Sequence, residues 1–162
     1  IRSVTLAAVW AGAEVYKGQL RLLEKWAVAL GGGGNHRMGL YDMVMLKDNH
    51  VDFAGGIKAA VARTKAYLAQ TNRTLAIEVE TRNLQEVKEA LQAGVDRIML
   101  DNFTVSATKE AVEYIAGRTE VESSGGITRH TLVPYAECGV DYISVGALTH
   151  HIKGLDMSLK AL

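Results

Sequence analysis

The chain has 162 residues, and its 18 Lys plus Arg are balanced by 18 Asp plus Glu. A formal charge of zero argues against a generic nucleic-acid groove, which needs a positive excess over the phosphate backbone. Hydrophobic residues at 48% and charged residues at 22% exclude a disordered chain and supply the core of one packed domain.

A single cysteine, Cys138, excludes an internal disulfide framework and any cysteine-based metal cluster, and fits the reducing cytoplasm. The apolar stretch at residues 4–11 is short of the roughly 18 residues a membrane span needs. No basic region of signal-peptide type precedes it, so no membrane is expected as a partner. A chain that begins at Ile1 rather than Met reads as a fragment or a processed form.

In chain order, residues 21–30 read as a helix with Leu22, Leu23, Trp26, Ala27 and Leu30 on one face, ended by the four glycines at 31–34. Met43–Leu46 reads as a buried strand, with Lys47-Asp48-Asn49-His50 following it. Residues 56–70 give a helix, 75–80 a strand, and 83–93 a helix closed by Gly94. Then come a strand at 97–101, a helix at 105–116, a strand at 119–123, a short helix at 129–137 and a strand at 141–145. The last four strands recur about every 22 residues with a helix between each, which is the alternation of a parallel sheet under a helical layer. A complete eight-fold barrel takes about 250 residues. Five or six units therefore predict an α/β fold of partial or open barrel type, or an open doubly wound sheet. The absence of a G-x-G-x-x-G after the first strand weakens the second.

Polar residues gather at the predicted strand C-termini: Lys47, Glu80, Asp101, Ser124 and Gly146. In parallel α/β folds this edge is the catalytic face, because the strand-to-helix loops and helix N-termini converge there. Glu80 and Asp101 occupy equivalent points on neighbouring units. Two carboxylates there suit Mg²⁺, ribose hydroxyls or a developing cation, against the plainer alternative of pairing with a nearby Lys or Arg. Glu78 shares a side with Glu80 in a regular strand, as a second acid or as a partner of the helix layer.

Ser124-Gly125-Gly126 and Gly146-Ala147 each lie between a strand and a helix. There, glycine lets backbone N–H groups approach an anion, and a following helix adds a favourable dipole. Two such loops on successive strands suit a phosphate, whereas one alone serves equally as a turn. Arg37, after Asn35 and His36, can clamp a carboxylate or phosphate, or simply be a solvated loop residue. Lys47 ends an apolar strand and needs an anionic substrate or an acidic neighbour. His150 and His151 are a ligand contact or a capping pair. With no H-E-x-x-H spacing, zinc is not expected.

Six ordered motifs run through the chain: Gly-Gly-Gly-Gly-Asn-His-Arg at 31–37, Lys-Asp-Asn-His at 47–50, Glu-Val-Glu at 78–80, Met-Leu-Asp-Asn at 99–102, Glu-Ser-Ser-Gly-Gly-Ile at 122–127 and Gly-Ala-Leu-Thr-His at 146–150. In this order they closely resemble the quinolinate phosphoribosyltransferase family, the carboxylating nicotinate-nucleotide pyrophosphorylases of NAD biosynthesis. The likeness runs from about Leu20 to Leu162, so residues 20–162 are expected to form the α/β-barrel domain and 1–19 an atypical, unassigned segment.

The resemblance implies transfer of the phosphoribosyl group of phosphoribosyl pyrophosphate to quinolinate. Nicotinate mononucleotide, CO₂ and pyrophosphate are the products, with Mg²⁺ assisting. It implies His36, Arg37 and Lys47 on quinolinate and the substrate anions, and Glu80 and Asp101 near the ribose and metal. Ser124, Gly125, Gly126, Gly146 and Ala147 fall on the 5-phosphate, with His150 beside them, and Lys47, Glu80 and Asp101 are the catalytic set. A homo-oligomer, a dimer or a multiple of one, follows from the family architecture, and a cytoplasmic location is expected. The likeness breaks at 13–21, where the family's Thr-Arg-Lys-Thr is missing. Glu14 and Val15 stand in place of its Arg and Lys, and only Leu20 and Arg21 match. That break leaves two alternatives open: a phosphoribosyltransferase for another anionic acceptor, or an inactive copy that binds phosphate or a partner subunit without turnover.

Overall fold

Short apolar runs bounded by turns become strands here because each is buried on both faces, and amphipathic segments between them become the helices that cover one of those faces. A computed structural model describes residues 5–8, 21–39, 41–150 and 158–159, with no side-chain detail for 5–8 or 149–150. The elements are β1 (Thr5–Ala8), α1 (Arg21–Leu30), β2 (Gly34–Asn35), β3 (Met43–Leu46), α2 (Asp48–Ala54), α3 (Ile57–Gln70) and β4 (Ala76–Thr81). They continue with α4 (Leu84–Ala93), β5 (Arg97–Asp101), α5 (Val105–Ile115), β6 (Glu120–Ser124), α6 (Leu132–Glu137), β7 (Tyr142–Ser144) and α7 (Ala147–His150).

The strands form one seven-stranded sheet in the order β2-β1-β7-β6-β5-β4-β3, and every described pair is parallel. Among the described residues the sheet does not close, so the expected open barrel is present. It holds seven strands rather than the five or six units counted from sequence. Thr5–Ala8 and the two-residue Gly34–Asn35 carry too little pattern to be read as strands. Its two edge strands, β2 and β3, are consecutive in the chain and are joined by residues 36–42.

Alternation divides the strand residues between two faces. Leu46, Ile77, Val79, Ile98, Leu100, Val121, Ile143 and Val145 face the helices and join Val51, Ile57, Val61, Val87, Ala111 and Ile115 in one apolar cluster. Burial of each such side chain contributes about 1.5–3 kcal/mol. The helices start where the sequence supplies caps: Asn83 Oδ1 accepts from Glu86 N–H at 3.0 Å, and Thr104 Oγ1 from Ala107 N–H at 3.2 Å. Among the described residues no helix is long and apolar enough to cross a membrane.

Lys47-Asp48-Asn49-His50 starts a helix: Lys47 is the N-cap, Asp48 opens α2, and His50 Nδ1 accepts from Lys47 N–H at 3.0 Å to tie off the first turn. The apolar side of α1 does not face the core: Leu22, Trp26 and Leu30 are 71%, 62% and 72% exposed, and the buried residue is Lys25. Its ammonium is drawn inward because Nζ donates to the carbonyls of His36 and Arg37 at 2.7 and 2.9 Å.

Candidate functional site at the strand C-termini

The two ends of the sheet use their acids differently. At the N-terminal end, Asp96 Oδ2 accepts from Ile77 N–H at 2.8 Å, and Asp141 Oδ2 accepts from Val121 N–H at 2.9 Å. These carboxylates cap neighbouring strands and are structural. At the C-terminal end, register alone gathers the polar residues. Leu46 pairs with Val79 and Asp101 with Ser124, so Lys47 follows opposite Glu80, and Ser124 falls beside the end of β7, just before Gly146. All five residues expected on one rim are on it.

Glu80 and Lys47 are half-buried there. Burial pushes the Glu80 carboxyl above its usual range, the charge of Asp101 pushes it further, and Lys47 pulls it back. Lys47 thus has its acidic neighbour. Two facing carboxylates of this kind are hard oxygen donors, the set that Mg²⁺ prefers.

The loop after β6 is shaped by its contact with the turn after β5. Asn102 N–H donates to the Ser124 carbonyl at 2.9 Å. Gly125 has φ +96°, and a Cβ there would lie 2.7 Å from Asn102 N, so only glycine fits. Gly126, also at positive φ (+62°), meets nothing within 4 Å. The loop therefore leaves its outer side open for an anion. Gly146 and the exposed Ala147 open α7, and the His150 side chain lies outside the described residues.

His36 and Arg37 are placed lower. His36 is 6% exposed, and its Nε2 lies 2.7 Å from Glu78 Oε2 and 3.7 Å from Glu122 Oε2. Arg37 Nη1 donates to the Met43 carbonyl at 3.4 Å, at the start of β3. Glu78 therefore shares the inner face with Glu80, as its spacing implies, yet it is fully buried beneath the rim and belongs to neither the helix layer nor the open edge.

Sequence reasoning assigned no role to the rest of this inner layer. Arg97 Nη1 lies 3.3 Å from Glu122 Oε2, and Ser144 Oγ donates to Glu122 Oε1. Glu78 and Glu122 lie on β4 and β6, alternate strands of the sheet, the way barrel interiors build a layer, and His36 follows the edge strand β2. Burial drives all three toward their neutral forms. His36 falls to about 4, also repelled by Arg97, while Glu78 and Glu122 rise to about 7, Glu122 partly through the charge of Glu78. One atom from each of the three lies within 4.8 Å of the others, a spacing a divalent ion uses. Arg97 already supplies the countercharge at Glu122, so this is a structural charge network. Its sequence signal was period 2: Glu78 and Glu122 each stand two residues before a rim residue.

The family described as quinolinate phosphoribosyl transferase, C-terminal domain, matches residues 16–160. The chain is 51% identical over 156 residues to the chloroplastic nicotinate-nucleotide pyrophosphorylase [carboxylating] of Arabidopsis thaliana, covering 87% of the chain and 45% of that protein. It is 41% identical over 140 residues to the probable nicotinate-nucleotide pyrophosphorylase [carboxylating] of Bacillus subtilis, covering 86% of the chain and 47% of that protein. Among solved structures, NadC from Streptococcus pyogenes superposes with a TM-score of 0.83 at 40% identity, over 98% of the chain and 53% of NadC. The chain thus spans about half the length of the curated relatives it matches.

Proposed function

Because the chain belongs to the quinolinate phosphoribosyltransferase family, through that family's C-terminal domain, we propose that it transfers the phosphoribosyl group of phosphoribosyl pyrophosphate to quinolinate with loss of CO₂. The products are nicotinate mononucleotide and pyrophosphate. The observation that carries this reading is the single rim shared by Lys47, Glu80, Asp101, Ser124 and Gly146.

Both substrates are polyanions and the chain is neutral, so binding requires local concentration of cations and backbone N–H groups. The Ser124-Gly125-Gly126 loop and the Gly146-Ala147 turn take the 5-phosphate. Lys47 and Arg37 take substrate carboxylates, and His36, engaged by Glu78 through Nε2, offers only its other nitrogen to a ligand. His150 lies in the helix after Gly146, and we assign it to substrate binding with these loops.

Departure of pyrophosphate leaves positive charge on the ribose ring. Glu80 and Asp101 are fixed where that charge develops and so stabilise the transition state more than the ground state. We take their oxygens, hard donors of the kind Mg²⁺ prefers, to hold that ion directly or through the substrate, and the Asp101 charge beside the Glu80 carboxyl supports this. When bound, the ion neutralises the pyrophosphate oxygens.

We place residues 20–162 in the phosphoribosyltransferase domain, leave 1–19 unassigned, and place the protein in the cytoplasm as a homo-oligomer. The exposed Leu22, Trp26 and Leu30 of α1 support association, since a contiguous apolar stripe favours burial against another surface. The decisive assay incubates the chain with phosphoribosyl pyrophosphate, Mg²⁺ and carboxyl-labelled quinolinate. Equal release of labelled CO₂ and nicotinate mononucleotide is expected. Turnover with nicotinate in place of quinolinate, or phosphate binding with no turnover, rejects the reading.

A further inference from the structure

We propose that Asn102 is a positioning residue that sets both the Asp101 carboxylate and the Gly125–Gly126 loop, a role that rests on reading Asp101 as an active carboxylate. Three contacts meet at this one residue. Its Nδ2 donates to Asp101 Oδ2 at 2.8 Å. Its N–H donates to the Ser124 carbonyl at 2.9 Å, extending the β5–β6 ladder one step past the Asp101–Ser124 pair. Its side chain also packs on Gly125, where a Cβ would come within 2.6 Å of Asn102 Cγ.

The backbone narrows what can stand here. Asn102 has φ +55°, in the left-handed region that asparagine and glycine enter at little cost. Of those two, only asparagine also carries a side-chain donor. Its amide orientation is fixed by chemistry: the oxygen would face a carboxylate oxygen, so the NH₂ must. Aspartate would lose the donor and set a second negative charge beside Asp101. Asn102 is itself exposed, so burial does not demand a polar bond for it. What its contacts accomplish is alignment: they join the acid at the end of β5 to the anion loop at the end of β6.

The substitutions Asn102→Gly, Asn102→Asp and Asn102→Ala separate the parts. Asn102→Gly keeps the left-handed turn and the N–H bond to the Ser124 carbonyl that holds the loop, and removes the side chain's tether to Asp101 and its packing on Gly125. It is expected to bind ribose 5-phosphate within about twofold of wild type and to lose turnover by about tenfold or more, the scale of a misplaced catalytic group. Asn102→Asp should lose at least as much turnover. Asn102→Ala strains the turn against Gly125 and should also weaken ribose 5-phosphate binding, measured by calorimetry. Melting temperatures close to wild type confirm that each variant folds. Wild-type turnover in Asn102→Gly overturns the proposal. If the wild-type chain itself does not turn over, the function reading fails, and crystal structures of wild type and Asn102→Gly then decide the positioning role. A shifted or split Asp101 carboxylate supports it, and an unchanged one overturns it.

Discussion

Glu78 Oε2 lies 2.7 Å from His36 Nε2, although 42 residues of chain separate them and both are buried. This contact carries the segment after β2 across the inside of the sheet to β4. Lys25 holds the same segment from the other side through the His36 and Arg37 carbonyls. The site therefore stands on a floor of buried titratable residues, where an ordinary barrel has branched aliphatic ones.

That floor makes stability depend on pH. The Glu122 carboxyl sits at about 7 against an ordinary 4.5, so the folded chain keeps a proton that the unfolded chain has released. Its contribution is complete below about pH 4.5 and is lost as pH rises through about 7. His36, lowered from 6.5 to about 4, acts the other way and adds stability as pH rises across that interval. Glu122→Gln removes the first effect and keeps the second. Its melting temperature relative to wild type should climb between about pH 5 and pH 8, each pKa unit being worth about 1.4 kcal/mol. Thermal unfolding over that range measures it, and a constant offset would contradict the assignment.

The rim acids should be catalytic and dispensable for folding. Glu80→Gln or Asp101→Asn is expected to lower kcat by about 10²-fold or more while changing the melting temperature little. Steady-state kinetics on the chain decide this, and unchanged turnover rejects the role.

The two loop glycines should differ. Gly125→Ala drives a Cβ against Asn102, whereas Gly126→Ala meets no neighbour and bears only the strain of positive φ. Calorimetry with ribose 5-phosphate should find binding largely lost in the first. In the second, folding stability should fall by about 1–2 kcal/mol and binding should weaken less than in the first. Equal behaviour of the two would show that the Asn102 contact does not shape the loop.

Core packing gives a fourth expectation. Ile98 is fully buried between the sheet and its helices, and Ile98→Ala should cost about 2–5 kcal/mol in urea unfolding. A loss under about 1 kcal/mol would mean that the site collapses around the cavity.

Much of this was legible in the residues. From Ile77 to Val145 the strands sit within a residue or two of where apolar runs place them, because each is bounded by a turn or cap residue such as Asn83, Gly94 or Thr104. The rim was readable for a related reason: in a parallel sheet, strand ends align without further information. The inner layer was harder. Glu78, Arg97 and Glu122 look like ordinary surface charges until the sheet curls and brings His36 to them, an arrangement set by long-range geometry. For α1, amphipathicity tells which side is apolar but not which side turns inward, and the bonds of Lys25 decide the latter.

The strand order also bears on how the chain folds. From β3 to β7 every strand pairs with the next one in sequence, so these contacts close short loops and form at small entropic cost. The β1–β7 pairing, with Leu6 opposite Ile143, closes nearly the whole chain. The central strands should therefore gain amide-exchange protection first, and Thr5–Ala8 should dock last, once β7 has emerged from the ribosome.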